Sequence, residues 1–412
     1  MGDIYCLFYE RGIELLKNGG YLAFITSNKW MRAKYGEKLR SFFLNYNPKV
    51  LIDFGPNVFE SSTVDTSILI IQKLPNQNQL RAVKVENNKK SNVNIEEIIK
   101  NEGVVLKNLS KDAWFIRDNT EQKLKEKIER IGKPLKEWDV KIYYGIKTGF
   151  NEAFIINSAK REKILNNCKD ESERKRTEAI IKPILRGRDI KRYYYEWKRL
   201  WVIIIPAGWT NKNRGSEKPE AFIKKTFSSL MTHLQQFQEK AKKREDQGDY
   251  WWELRHCAYY SEFEKEKIAW AGVGTKLITT IVPNGIYLNA PANFLVHKNI
   301  RFLQGIFNSN CISWYYDLIK TTLGTKGGRF YIYDAFNIPI PPISSENEPI
   351  TKQIETLVDE ILTITKDKGY LQNPEKQVKV KEYERQIDQL VYQLYSLTPE
   401  EIEIVEKYGK ES

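Results

Sequence analysis

Three apolar runs of strand length alternate with helical stretches inside the first 73 residues, and this pattern restricts the fold more than any other feature of the chain. The runs are residues 21–26, 50–54 and 66–72. Ahead of the first, residues 4–17 carry apolar side chains at helical spacing, and Asn18-Gly19-Gly20 ends that helix. Residues 35–44 read as a second helix. An unbroken apolar run of this length suits a parallel strand buried on both faces. Alternation of helix and strand implies α/β architecture. Three strands and two helices leave a doubly wound sheet incomplete, so this segment is expected to be half of a larger layer.

The pattern then changes. Residues 74–110 are polar and rich in Asn and Lys, as in a connection with minor strands, and residues 120–131 form a charged helix. From 135 to 345 the β-like runs are short: 142–144, 153–156, 201–205, 267–270, 278–282 and 294–296. Helical pieces at 219–243 and 299–318 interrupt them, which describes an α+β domain with long loops. In the tail, Ile350, Ile354, Leu357, Ile361 and Ile364 make one helical stripe, and Tyr383, Ile387, Leu390, Val391 and Leu394 make another. Residues 369–374 lie between them, so a helical hairpin is expected. Thr398-Pro399-Glu400-Glu401 has the form of a capping box that starts a last helix. The expected division is 1–110, 111–345 and 346–412.

Charge divides along the same lines. The 412-residue chain carries +13 at pH 7, as +4 over residues 1–110, +15 over 111–345 and −6 over 346–412. A basic block that is also rich in Tyr and Trp suits neutralised phosphates and packed bases. A hydrophobic fraction of 41% with ten Trp excludes disorder as the main state. No apolar run reaches the roughly 18–20 residues that span a bilayer, and no signal peptide opens the chain, so no membrane partner and a cytoplasmic location are expected. Four scattered cysteines without a CxxC argue against a zinc ribbon or a disulfide scaffold, and three scattered His have no metal-ligand spacing. No metal is expected.

Short motifs for chemistry fail on context. Asp53-Phe54-Gly55 lacks the other kinase loops. The segment Gly324-Thr325-Lys326-Gly327-Gly328-Arg329 lacks the Walker spacing. Gly272-Val273-Gly274 is a lone GxG, and Glu264-Lys265-Glu266-Lys267 is unremarkable in a chain with 29% charged residues.

Longer ordered motifs carry a family resemblance. The run from Asp3-Ile4-Tyr5 through Asn18-Gly19-Gly20-Tyr21 to Thr26-Ser27-Asn28-Lys29-Trp30 resembles the segment after the catalytic loop of adenine-specific DNA methyltransferases of the TaqI type and of type IIG restriction–modification enzymes. Leu51-Ile52-Asp53-Phe54-Gly55, Val58-Phe59-Glu60 and Val64-Asp65-Thr66-Ser67 continue the match in order. The middle block resembles the family's target recognition domain at Gly145-Ile146-Lys147-Thr148-Gly149-Phe150-Asn151, at Leu185-Arg186-Gly187-Arg188-Asp189-Ile190-Lys191-Arg192, at Trp251-Trp252-Glu253-Leu254-Arg255 and at Ile338-Pro339-Ile340-Pro341-Pro342. The family's Asn/Asp-Pro-Pro-Tyr/Phe tetrapeptide and its S-adenosylmethionine loop are absent from the sequence. The resemblance therefore implies an incomplete Rossmann-like methyltransferase half, an α+β target recognition domain and a C-terminal helical hairpin.

In function it implies part of a site-specific DNA adenine-N6 methyltransferase of a type II restriction–modification system. The catalytic half would lie on the same polypeptide or on a separate subunit. The intact protein would use S-adenosylmethionine. No catalytic residue and no bound cofactor are expected in this chain. The alternatives are a non-catalytic DNA-specificity subunit and, more distantly, a general RNA or single-strand binder. By motif position Phe59 is the candidate to stack on an extruded base, and Thr26, Ser27 and Asn28, at a strand's carboxyl end, would rim the pocket. Lys147, Thr148, Gly149 and Asn151 are the candidates in the first glycine loop for contact with double-stranded DNA. Arg186, Arg188, Lys191 and Arg192 form a second group, with Asp189 expected to hold an arginine, and Lys326 and Arg329 a third. Lys240, Lys242, Lys243 and Arg244 are expected on a solvated helix end.

Overall fold

The computed structural model describes residues 3–33, 35–55, 58–59, 64–85, 94–107, 109–111, 114, 116, 119–274, 276–319, 328–329 and 335–411. The first unit comprises α1 (Tyr5–Leu15), β1 (Tyr21–Ser27), α2 (Gly36–Phe43), β2 (Asn47–Gly55), β3 (Thr66–Gln72), β4 (Leu80–Lys84), α3 (Ile95–Glu102) and β5 (Val104–Leu106). Its strands form one mixed sheet in the order β1-β3-β2-β4-β5. Only β2 and β4 pair in parallel; β3 is antiparallel to both of its neighbours, as β5 is to β4. The expectation of parallel neighbours is corrected here. The link between β2 and β3 is shorter than the dozen or more residues a parallel crossover needs, so β3 folds straight back and inserts between β1 and β2. Helix α3 was not anticipated. It starts where the Asn94 side chain accepts from Glu97 N at 3.3 Å.

Burial in β1 also departs from expectation. Leu22 packs into the core with Tyr9, Ile13, Trp30, Phe43, Leu69 and Trp114, but Tyr21 and Ile25 on the other face are 57% and 46% exposed. Ile4, Leu7, Phe8 and Leu15, in and beside α1, are exposed as well. The apolar run is thus half-covered, and β1 is an edge strand among the described residues.

Two four-stranded sheets build the middle of the chain. One has the order Tyr287–Leu288, Ile181–Leu185, Leu200–Ile203, Ile155–Asn157, and the other Thr279–Val282, Lys267–Trp270, Asn293–Val296, Lys141–Tyr144. The second is buried on both faces. Ile268, Trp270, Ile281 and Leu295 face one core, whereas Ala269, Val282 and Phe294 face another, the alternation expected of a pleated strand. The helical piece expected at 219–243 is broken into Pro219–Thr226, Ser228–Gln235 and Gln238–Ala241. The first break falls at buried Phe227, beyond which Ser229 is tied by its Oγ to Ile164 O at 2.6 Å.

The tail forms the expected pair of helices, Glu348–Thr365 and Pro374–Leu394, followed by Pro399–Glu411. The capping box is present: Thr398 N donates to Glu401 Oε2 at 2.8 Å, and Glu401 N to Thr398 Oγ1 at 3.4 Å. These helices share one core with Asn119–Ile131, Ile300–Asn308 and Asn310–Ile319. Gly305 lets two helices approach closely, since a Cβ there would lie 2.4 Å from Ile354 Cγ2. No helix among the described residues is long and apolar enough to cross a membrane.

Candidate nucleic-acid interface

Four backbone segments from distant parts of the sequence are laced together at one end of the two middle sheets. Gly145 N donates to Ala292 O at 2.8 Å, Ile146 N to Leu288 O at 2.6 Å, and Ala290 N to Ile146 O at 3.0 Å. Asn289 N donates to Leu185 O at 2.8 Å, which joins the arginine-rich loop to the same turn. A Cβ on Gly187 would touch Ala271, and one on Gly272 would stand 1.8 Å from Pro291 O. Gly145 is equally constrained, because its Cβ would fall 2.6 Å from Asn289 C. The glycines of these motifs serve close backbone approach. Val273–Gly274 then pairs with Gly328–Arg329, so the backbone of the third predicted group reaches this cluster too.

Within it, the predicted residues divide into those facing out and those bound to the fold. Lys147, Gly149, Asn151 and Arg188 are exposed. Thr148 is buried, with Oγ1 2.6 Å from Asn151 Oδ1 and accepting from Phe150 N at 3.2 Å. Arg186 donates to Asp189 through Nε at 3.0 Å, Nη2 at 2.9 Å and its backbone N at 2.9 Å. Burial opposes ionisation of Asp189, but these bonds from Arg186 prevail and hold the carboxyl below its usual range. Asp189 thus holds an arginine, as expected. Arg192 pairs with Glu384 of the tail at 2.5 Å, and its neighbour Tyr193 is locked by Thr365 Oγ1, which donates to Tyr193 O at 2.9 Å. Lys191 is half-buried beside them. Lys326 and the side chain of Arg329 lie outside the described residues.

Two participants escaped the sequence reading. The 271–274 segment looked like an isolated GxG, and only tertiary packing makes it a neighbour of Gly187 and Pro291. Arg244, expected on a solvated face, is instead 7% exposed. Burial lowers its pKa to about 10. Lys267 has a similar environment: its Nζ donates to Phe263 O, Lys265 O and Pro283 O at 2.7–3.0 Å, and burial lowers its pKa to about 8.

At the carboxyl ends of β1 and β2, Asn28 Nδ2 donates to Asp53 Oδ1 at 2.8 Å, and the same oxygen accepts from Gly55 N at 3.0 Å. Thr26 Oγ1 is 3.0 Å from the Tyr9 hydroxyl, and Ser27 Oγ accepts from Lys29 N at 3.3 Å. Phe59 is 48% exposed.

Comparison with known proteins finds similarity in two stretches of the chain. Residues 1–59 match the Eco57I restriction-modification methylase model, and residues 182–340 match the TaqI-like C-terminal specificity domain. Both stretches are thus similar to parts of type II restriction–modification methyltransferases. The chain is 30% identical over 165 residues to the type II restriction enzyme and methyltransferase RM.Eco57I of Escherichia coli, covering 39% of this chain and 16% of that protein. It is 22% identical over 439 aligned positions to the type II methyltransferase M.BstVI of Geobacillus stearothermophilus, covering 98% and 69% respectively. Its fold is similar to that of the type IIL restriction-modification enzyme MmeI, solved in complex with DNA, with a TM-score of 0.60 at 13% identity. That match takes in 97% of this chain and 51% of the MmeI chain, so the chain spans about half the length of that relative.

Proposed function

We propose that this chain supplies duplex-DNA recognition and part of the target-base pocket to a site-specific DNA adenine-N6 methyltransferase of a type IIG-like restriction–modification system. The observation that carries this reading is the convergence of the 145–151, 185–192 and 271–274 segments on the 288–292 turn, with Lys147 and Arg188 exposed from a block of +15. Backbone–backbone bonds fix the loops, exposed cations neutralise phosphates, and side chains at the loop tips read base edges. Thr26, Ser27 and Asn28 rim the base pocket and Phe59 stacks on the extruded base.

Among the described residues, no arrangement fits a site for S-adenosylmethionine. Gly145 and Gly272 are occupied by close backbone contacts, and Asn28 and Asp53 at the strand ends bond to each other. The cofactor belongs with the catalytic half. That half, on the same polypeptide or as a separate subunit, docks against the exposed apolar side chains of α1 and of the edge strand β1. Tyr21 and Ile25 on β1 and Leu7 and Phe8 on α1 are exposed, and an edge strand such as β1 among the described residues invites pairing.

Binding of a labelled duplex by this chain across a salt series tests the reading. Affinity should fall steeply, with each phosphate contact adding about 0.9 to the log–log slope, and labelled methyl donor should give no product with this chain alone. Affinity indifferent to salt, or methyl transfer by this chain alone, would sink the reading.

A further inference from the structure

Arg244 sits in a place where a cation is costly, and its surroundings explain what it does there. It makes no ion pair among the described residues. Its Nη1 donates to Thr148 O, and its Nη2 to Trp251 O at 3.0 Å and to Glu253 O. The guanidinium carbon stands 4.2 Å from the centroid of buried Phe154. The next turn of chain closes the same joint. Gly149 has φ +66, and a Cβ there would lie 2.9 Å from both Cβ and O of Asp246. The anchoring carbonyls are themselves fixed: the fully buried Glu253 carboxylate accepts from Gly208 N, Thr210 N and Asp249 N at 2.8–3.1 Å. A buried charge held by three carbonyls spends hydrogen bonds that a neutral side chain could not make. What those bonds hold is the one loop that has Lys147 and Asn151 exposed on its outer side.

We infer that Arg244 is a positioning residue for DNA binding: planted beneath the 145–151 loop, it fixes where Lys147 and Asn151 stand without touching the nucleic acid. The inference rests on the DNA-recognition reading above. It separates two roles that a basic residue can play. A lysine on a phosphate contributes to the salt slope, whereas a buried arginine contributes to affinity and leaves the slope alone.

The full chain is titrated with a fluorescein-labelled duplex of mixed sequence between about 50 and 200 mM salt, with thermal melts confirming that each variant is folded at the assay temperature. Arg244→Met should weaken binding about tenfold with an unchanged slope, since a loosened loop still reaches the same phosphates but must be ordered on binding. Arg244→Lys should recover most of the loss, because an ammonium can satisfy three carbonyls as Lys267 does. Lys147→Gln should instead lower the slope by about 0.9. If Arg244→Met does not fold, Gly149→Ala, which pushes the loop off Asp246 from an exposed position, decides the matter with the same expected signature. An Arg244→Met slope reduced like that of Lys147→Gln, or folded variants that bind like the parent, would overturn the inference alone. A parent chain that binds no duplex would overturn the underlying reading as well.

Discussion

Replacing Asp189 by Asn tests whether the arginine loop is built as described. Asp189 is 2% exposed and accepts three bonds from Arg186, two of them from the guanidinium at 2.9 and 3.0 Å. An amide offers one acceptor oxygen where the carboxylate offers two, and its NH2 would face another donor. At least one charge-assisted bond, with an intrinsic contribution of about 1.5–3 kcal/mol, is lost. Removing a partner from a fully buried pair costs about 3–5 kcal/mol, but the Arg186 side chain is 26% exposed and recovers some hydration. The expected loss is therefore about 2–3 kcal/mol by urea unfolding at neutral pH. Its pH dependence has a fixed sign. The folded-state pKa of Asp189 is depressed, so its stabilisation is present above the unfolded value of about 3.9 and disappears as pH falls through the folded value. The gap between parent and Asp189→Asn should accordingly close in acid. Combining Asp189→Asn with Arg186→Met should cost less than the sum of the single changes, by about 1 kcal/mol or more. Equal urea midpoints for parent and variant at neutral pH, or strict additivity, would refute the arrangement.

Gly272→Ala should lower stability by about 3 kcal/mol, because its Cβ would overlap Pro291 O and backbone must yield; a thermal melt reads it, and an unchanged midpoint would mean that the 271–274 segment is not locked to the turn. Glu384→Gln should destabilise by about 1–2 kcal/mol through loss of the Arg192 pair, read as a lower urea midpoint; an unchanged midpoint would mean that the pair does not tie the tail to this loop. Burial raises the Asp388 pKa to about 6, against bonds from Asn310 and the charge of Arg192. A raised folded-state pKa means that its contribution is complete below about pH 4 and is lost as pH rises through about 6. Denaturation midpoints should fall across that window and flatten in Asp388→Asn.

Local periodicity made the individual elements legible. The strands at Lys267–Trp270 and Asn293–Val296, the helix Asn119–Ile131 and the capped final helix all lie where residue patterns put them. Pairing was less accessible. The order β1-β3-β2 depends on a chain reversal after Gly55, which strand composition does not encode, and the apolar run of β1 proved one-sided because coverage of Tyr21 and Ile25 depends on what lies beyond the strand. The tail reads in sequence as a separate acidic segment. Its union with Ile300–Asn308 rests on Gly305, a single residue whose meaning is set by Ile354 from another helix.

The site was legible as chemistry and illegible as geometry, for an electrostatic reason. Counting charges treats every arginine alike, yet Arg186 and Arg192 are each neutralised by a carboxylate, Arg244 is enclosed beneath a loop, and Lys147 and Arg188 face outward. The long-range field depends on net charge alone, and +15 over 111–345 is felt by a polyanion within a Debye length of about 8 Å. On the proposed reading, register would depend on where a few donors stand, which the paired and buried arginines fix. Basic residues thus fall into two groups here. On the proposed reading, the exposed members would attract a polyanion and the enclosed members would fix the loops that carry them. A sequence reveals the first group through composition. The second becomes visible only when the partner is known, as with Asp189, three residues from Arg186, or Glu384, far along the chain from Arg192.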